Sequence, residues 1–367
     1  MADRRRFLAL TMPALVSAAG LLTPAAPRAT AHAHAREGAR VVDEQRRESR
    51  IVDLTVRPPA LGRDARVRLL TPDGWERHGR HDRWPVLYLF IGGDGDHEAW
   101  TREYEVQRKP ELRGTLVVMP EMPLYGFYSD WWNHGHGGPP AVESIHLREV
   151  LPLLERGYGA GTRRVAAGES QGGFGALSYA ARHPGLFRAV TSYSGFVHPL
   201  QHPHAVRAGM TYLGLDWLAL WGDPVAQRAI WQAHDPYWLA ERLRGTRVHL
   251  SSGDGRAGAL DPPGTEPDPH IPGLEDPDHP FPEDVISPTE TLMERESRAV
   301  ATRLSRAGVQ VSTHFYAGTH SPPYWWRELD RTLPMLQGST ATLCPPCGGA
   351  PRRSPSRPRT AVSARLA

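Results

Sequence analysis

The stretch Gly168-Glu169-Ser170-Gln171-Gly172 sets a lone serine between two glycines. G-x-S-x-G is the pattern of a nucleophile elbow, a strained strand-to-helix turn that exposes a serine hydroxyl. The same five residues also fit an ordinary connection, because Gly and Ser are common in turns. The flanking residues decide between the two. Apart from Arg164, residues 164–167 are small and apolar, as in a buried parallel strand. Phe174, Leu177, Ser178 and Ala181 then recur at helical spacing. His183-Pro184-Gly185 stops that helix, since proline cannot continue it. Residues 188–195 read as the next strand. A strand–turn–helix–strand unit is the setting an elbow needs, and it makes Ser170 the candidate nucleophile.

A serine hydroxyl is a poor nucleophile near neutral pH and needs a base, itself oriented by a third group. In folds with this elbow the chain order is Ser, acid, His. The base is therefore sought late in the chain, where His314 and His320 stand. His314 lies inside an expected strand. His320 follows Gly318-Thr319 in the loop after it and is the candidate base. For the acid, Asp254 and Asp261 follow the preceding strand, while Glu290 opens the next helix. Ser287-Pro288-Thr289-Glu290 also reads as a capping box, so the residues alone leave all three acids open. A tetrahedral intermediate needs two amide donors. One is Gln171, directly after the serine; the other falls in Gly92-Gly93, at the end of an early apolar run.

These side chains need a frame that gathers them. Apolar runs predict strands at 66–71, 85–92, 115–120, 164–168, 188–195, 247–253 and 309–316. Helical patterns fall at 142–158, 171–182, 288–307 and 323–336. Their alternation predicts a mostly parallel α/β sheet with helices on both faces, and a site beyond the carboxyl ends of the strands. Two aromatic loops should face that site and form a substrate platform, with Trp131 and Trp132 in one and Trp326 in the other. The connection 261–288, dense in Pro and Asp, is too long for an ordinary αβ loop and either covers the site, binds a partner or is a solvated insertion. No metal-ligand spacing is present, so neither metal nor other cofactor is expected.

Composition sets the outer limits. The 367 residues are 40% hydrophobic, enough for one large core or two modest ones, with a formal charge of +3. Arginine far outnumbers lysine, but the arginines are scattered and no nucleic-acid-binding motif occurs. Residues 1–35 have a basic start, a short apolar run broken by Pro13, and a small-residue end. That is an export signal, with Arg4-Arg5-Arg6-Phe7-Leu8 fitting the twin-arginine pattern and cleavage near Ala33 or Ala35. The run is too short to span a bilayer, and the protein is expected outside the cell. The catalytic domain is expected over 36–337. Residues 338–367 form a Pro- and Arg-rich tail without periodicity, and carry the only cysteines, Cys344 and Cys347, as an incidental pair.

Several longer stretches resemble the antigen 85 and esterase D branch of the α/β-hydrolases. They are VVMPEMPLYGFYSDWW (117–132), GESQGGFGAL (168–177), LWGDP (220–224) with HDP (234–236), HLSSGDG (249–255) and GTHSPPYW (318–325). The resemblance spans roughly 52–336. It implies an α/β-hydrolase fold, Ser170 as nucleophile, His320 as base, Glu290 as the acid, and the amides of Gly93 and Gln171 as the oxyanion hole. It also implies an ester substrate drawn from cell-envelope lipid or glycan. The mycolyltransferases of the group carry Leu-Arg where this chain has Gly93-Asp94, and an aspartate where it has His198. The expected activity is therefore ester hydrolysis through an acyl-enzyme. The alternatives are acyl transfer to another sugar or lipid hydroxyl, and a non-catalytic wall-binding scaffold.

Overall fold

The computed structural model describes residues 38–341, apart from 49, 94, 123 and 124. The expected export signal, Asp94, Cys344 and Cys347 lie outside the described residues. Among the described residues, one sheet contains β1 (Arg40–Arg46), β2 (Ile51–Arg57), β3 (Ala65–Leu70), β4 (Trp84–Phe90), β5 (Leu116–Pro120), β6 (Ala160–Glu169), β7 (Ala189–Tyr193), β8 (Arg247–Gly253) and β9 (Val311–Tyr316). Their order is β1-β2-β3-β5-β4-β6-β7-β8-β9. The first four in that order pair antiparallel, and every pair from β5 to β9 is parallel. The mostly parallel sheet expected from the sequence is present, with its parallel half carrying the strand ends that matter for the site.

Strand alternation sorts the core onto two faces. Val86, Tyr88 and Phe90 of β4 share a core with α2 (Leu151–Gly157), α3 (Gln171–Arg182) and α7 (Pro288–Arg306). Leu87, Leu89 and Ile91 share the other with α1 (Ala99–Arg102) and α8 (Pro322–Thr340). Each fully buried Leu or Phe contributes roughly 1.5–3 kcal/mol by leaving water, so this double cover anchors the strand ends firmly.

A third apolar cluster sits apart, built from the connection between β7 and β8. It contains α4 (Pro203–Tyr212), α5 (Trp217–Trp221) and α6 (Arg228–His234). Trp221 and Trp231 are buried there with Phe127, Trp131 and Phe174, and Leu274 of the long 261–288 connection joins them.

Four features differ from the sequence expectation. Strands β1 and β2 lie outside the expected set; β1 is an exposed edge strand whose mostly polar sequence, Arg-Val-Val-Asp-Glu-Gln-Arg, has no apolar alternation to read. The short helices α4 to α6 were not expected either. The helix expected at 142–158 is a wide π-type turn, Ser144–Val150, running into α2. Pro152 at the start of α2 lacks an N–H, which removes one regular helical bond at that point. Helix α8 continues to Thr340, past the expected domain limit at 337, because Leu336 and Thr340 remain buried.

Candidate active site

Ser170 sits between the last residue of β6 and the first of α3, at φ 53° and ψ −124°. Such a conformation strains any residue other than glycine and persists only where its surroundings impose it. Here the Ser170 N–H donates to the Tyr193 carbonyl (2.9 Å), and the Ser170 carbonyl accepts from the Gly173 N–H (3.0 Å). The flanking glycines are steric necessities. A Cβ on Gly168 would lie 2.2 Å from the Gly172 carbonyl, and one on Gly172 would lie 2.3 Å from the Phe90 oxygen. The five-residue pattern is thus a tight crossing of β6, α3 and β4.

Of the three candidate acids, the structure brings Glu290 to the histidine. Glu290 Oε2 lies 2.6 Å from His320 Nδ1. Its other oxygen accepts from Ser194 Oγ (2.7 Å), Ser252 Oγ (2.9 Å) and the Gly253 N–H (2.5 Å). The Trp325 indole N–H donates to Ser194 Oγ (2.9 Å), and its ring packs edge-on against His320. Glu290 is wholly buried in this net. The capping box legible in the sequence is not formed. Ser287 makes no side-chain cap and instead donates to Asp268 (2.6 Å), while the His320 N–H donates to its Oγ (3.2 Å).

Asp254 pairs with Arg256 at 3.1 Å and does not reach His320. Asp261 accepts from Thr319 Oγ1 (2.5 Å) and the Tyr324 hydroxyl (2.7 Å), tying down the loop that carries His320. His314 is held on β9 by Glu328 (2.8 Å), as its position inside a strand suggested.

Ser170 and His320 line one cavity of about 220 Å³, together with Glu169, Tyr104 and Trp325. No hydrogen bond joins Ser170 to His320 among the described residues; catalytic hydrogen bonds of this kind often tighten only in the Michaelis complex. Burial alone would hold the His320 pKa down. The hydrogen bond and charge of Glu290, with the charges of Glu169 and Asp268, outweigh it and hold the pKa above the ordinary histidine value of 6.5.

Gly93 and Gln171 are neighbours beside the serine: a Cβ on Gly93 would lie 3.0 Å from the side-chain Nε2 of Gln171. Gln171 is the first residue of α3, so its N–H also carries the positive end of the helix dipole. On the other side of Ser170 lies an apolar groove of about 160 Å³. Its walls include Phe127, Phe196, Val206, Leu213, Ile271 and Met293. The long connection therefore covers part of the site through Ile271. Sequence reading missed this groove because its lining comes from six separate segments.

None of the three expected platform tryptophans lines either cavity. Trp131 is buried in the third core with its N–H on the Gly126 carbonyl (3.2 Å), and Trp132 packs beside His134. Trp326 lies over Lys109, in a cavity bounded by Pro110 and Pro334. Consecutive helical residues point about 100° apart, so it is Trp325 that faces the site. As for metals, Asp53, His97 and Glu98 are the one described trio whose ligand-type atoms converge. The Arg68 guanidinium already lies among them, 2.6 Å from Asp53 and 3.1 Å from Glu98.

The fold is that of the α/β-hydrolases. The crystal structure of Mycobacterium tuberculosis MPT51 matches 78% of this chain and 98% of its own at a TM-score of 0.59, with 24% identity. FphF, a fluorophosphonate-binding serine hydrolase of Staphylococcus aureus, matches 78% of this chain and 97% of its own at 0.58, with 15% identity. Within that class, residues 59–336 match the Esterase family, described as "Putative esterase", and the chain belongs to that family. The esterase Rv1288 of Mycobacterium tuberculosis is 30% identical over 82% of this chain and 62% of its own length. The chain thus spans about three fifths of that relative. Ag85B of Mycolicibacterium smegmatis, named a diacylglycerol acyltransferase/mycolyltransferase, is 29% identical over 77% of this chain and 83% of its own.

The electrostatics predict a measurable titration. His320, followed by NMR, should lose its proton with a midpoint above pH 6.5. Glu290→Gln removes the adjacent negative charge and should move that midpoint down. An unmoved midpoint would show that the Glu290 contact does not set the charge of the ring.

Proposed function

We propose that the protein is a serine esterase that acts through an acyl-enzyme. The observation that carries this reading is the coincidence of a strained Ser170 and a Glu290-bound His320 in one cavity. Ser170 Oγ attacks the ester carbonyl while His320 Nε2 takes its proton. Glu290 accepts a hydrogen bond from Nδ1–H, which selects the tautomer with a basic Nε2 and stabilises the imidazolium. The N–H groups of Gly93 and Gln171 receive the oxyanion. The alcohol leaves with the proton from His320, and water repeats the sequence to free the acid. The apolar groove beside Ser170 suits the acyl chain.

Acyl transfer to a hydroxyl acceptor shares every step up to the acyl-enzyme, and the similarity to the Ag85B acyltransferase favours it as the second reading. A trehalose acceptor is disfavoured. His198, standing where the mycolyltransferases carry an aspartate, is buried against Asp235 (2.8 Å) and stacked on Tyr237. The proposed setting is extracellular, on the strength of the twin-arginine stretch at Arg4-Arg5-Arg6. The proposed substrate is a lipid or glycan ester. No helix among the described residues is long and apolar enough to cross a membrane.

Ser170→Ala should lower nitrophenyl ester turnover on the order of a million-fold without loss of fold, and Glu290→Gln by roughly ten-thousand-fold. Asp254→Asn and Asp261→Asn should cost far less. Wild-type turnover by Ser170→Ala would end the Ser170 mechanism, whereas absence of turnover and of fluorophosphonate labelling in the unaltered protein would favour the non-catalytic scaffold. The acid limb of kcat/KM should fall at the His320 pKa, because the imidazolium formed below it cannot accept the serine proton.

The groove makes a separate prediction. Ile271→Trp should lower kcat/KM for an octanoyl ester by about tenfold, roughly 1.4 kcal/mol, and leave an acetyl ester nearly unchanged. Trp326→Ala should alter neither. Equal losses on both esters would place the acyl chain elsewhere.

For export, replacing Arg4-Arg5 with Lys-Lys should leave precursor in the cytoplasm. Undiminished secretion of that variant would point to the general secretory route.

A further inference from the structure

The elbow carries a residue that nucleophilic catalysis does not require. Position 169 needs only to end a strand, yet it holds a glutamate that is 3% exposed. Burying a carboxylate costs several kcal/mol unless strong partners meet it. One such partner is the Gly92 N–H, which donates to Glu169 Oε1 at 2.5 Å. The same peptide unit is held from its other side: its carbonyl, that of Ile91, accepts from the Tyr128 hydroxyl at 2.7 Å. A carboxylate and a phenol thus grip one peptide plane from both sides. The next peptide unit carries the Gly93 N–H.

Gly92 is built for this contact. Its φ is outside the left-handed region, so its backbone does not demand glycine. What demands it is Glu169. A Cβ on Gly92 would lie 2.6 Å from Oε2 and 2.9 Å from Oε1, and its three nearest atoms all belong to that carboxylate. Two consecutive glycines would otherwise leave the turn free to rotate.

We propose that Glu169 is a positioning residue, whose buried carboxylate orients the Ile91–Gly92 peptide and thereby aims the Gly93 N–H at the carbonyl oxygen bound beside Ser170. The proposal rests on the reading of Gly93 and Gln171 as the oxyanion donors. A charge-assisted bond is roughly twice as strong as a neutral one, which suits a clamp that must hold while charge develops nearby. Glu169 also lines the cavity of Ser170 and His320. Its charge acts on His320 together with those of Glu290 from α7 and Asp268 from the long connection.

The test compares Glu169→Ala, Glu169→Gln, Gly92→Ala and Gly92→Ala/Glu169→Ala on one nitrophenyl ester, with Ser170→Ala as reference and thermal melting as a check of folding. Glu169→Ala should lower kcat about ten- to a hundred-fold with KM nearly constant, a fraction of the loss of a whole oxyanion donor. Glu169→Gln keeps a carbonyl oxygen for the Gly92 N–H and should recover most of that kcat. It should also shift the acid limb of kcat/KM to lower pH, because one negative charge near His320 is gone. Gly92→Ala should be severe alone and add little to Glu169→Ala, since the atoms it collides with have been removed. Wild-type kcat in a folded Glu169→Ala, no recovery by Gln over Ala, or additive losses in the double variant would each overturn the proposal. Those results leave the serine mechanism standing as long as Ser170→Ala is inactive.

Discussion

A single buried carboxylate holds the working edge of this protein together. Glu290 has no contact with solvent, and it joins the ends of β7 and β8, the first turn of α7 and the loop after β9. Removing such a group from water is costly, and only a full set of hydrogen bonds offsets the cost. Each donor is therefore constrained in turn. Ser194 takes a left-handed conformation, φ 48°, and receives the Trp325 indole N–H besides serving the carboxylate. Gly253 has no Cβ because one would collide with the Gly318 carbonyl at 2.3 Å. The requirement to satisfy one carboxylate thus fixes how the β8 end, the β9 loop and α8 meet.

The serine side of the site obeys a steric constraint instead. Strand β6 must turn sharply into α3, whose first turn packs against the ends of β6 and its neighbour β4, and small residues make the close approach possible at Gly168 and Gly172. Strain at Ser170 is offset by the packing of α3, whose residues Gly172 to Ala181 are all buried. The two halves of the site are joined by the rigid parallel sheet and by Trp325, rather than by a direct bond between Ser170 and His320.

Around Ser170 the surroundings are unequal. One side is an apolar groove built from α4, the long connection and the start of α7. The other is a more polar cavity walled by Glu169, Tyr104, His320 and Trp325. This asymmetry suits the acyl and alcohol parts of the ester proposed as substrate. The third core, with Trp221 and Trp231 at its centre, supports the groove from behind.

Local pattern in the sequence sufficed for the parallel strands, for the strand–turn–helix setting of Ser170 and for placing His314 within a strand and His320 just past it, because each rests on neighbouring residues. The edge strand β1 gave no such signal, since its side chains face water. The acid was ambiguous in one dimension. Asp254, Asp261 and Glu290 all occupy permissible places, family resemblance alone favoured the glutamate, and only the folded chain shows it 2.6 Å from His320. The tryptophans went astray for a related reason. Loop position indicates which end of the sheet a residue lies on, but not its direction: Trp325 faces the site, while Trp326, one residue on, stacks over Lys109. The groove and the Glu169–Gly92 contact were invisible for the same cause, being made by residues distant in the chain. What sequence determined here is what adjacent residues determine together. What tertiary structure decided is which buried polar groups find partners and which way each side chain points, because both depend on contacts that exist only after the sheet has formed.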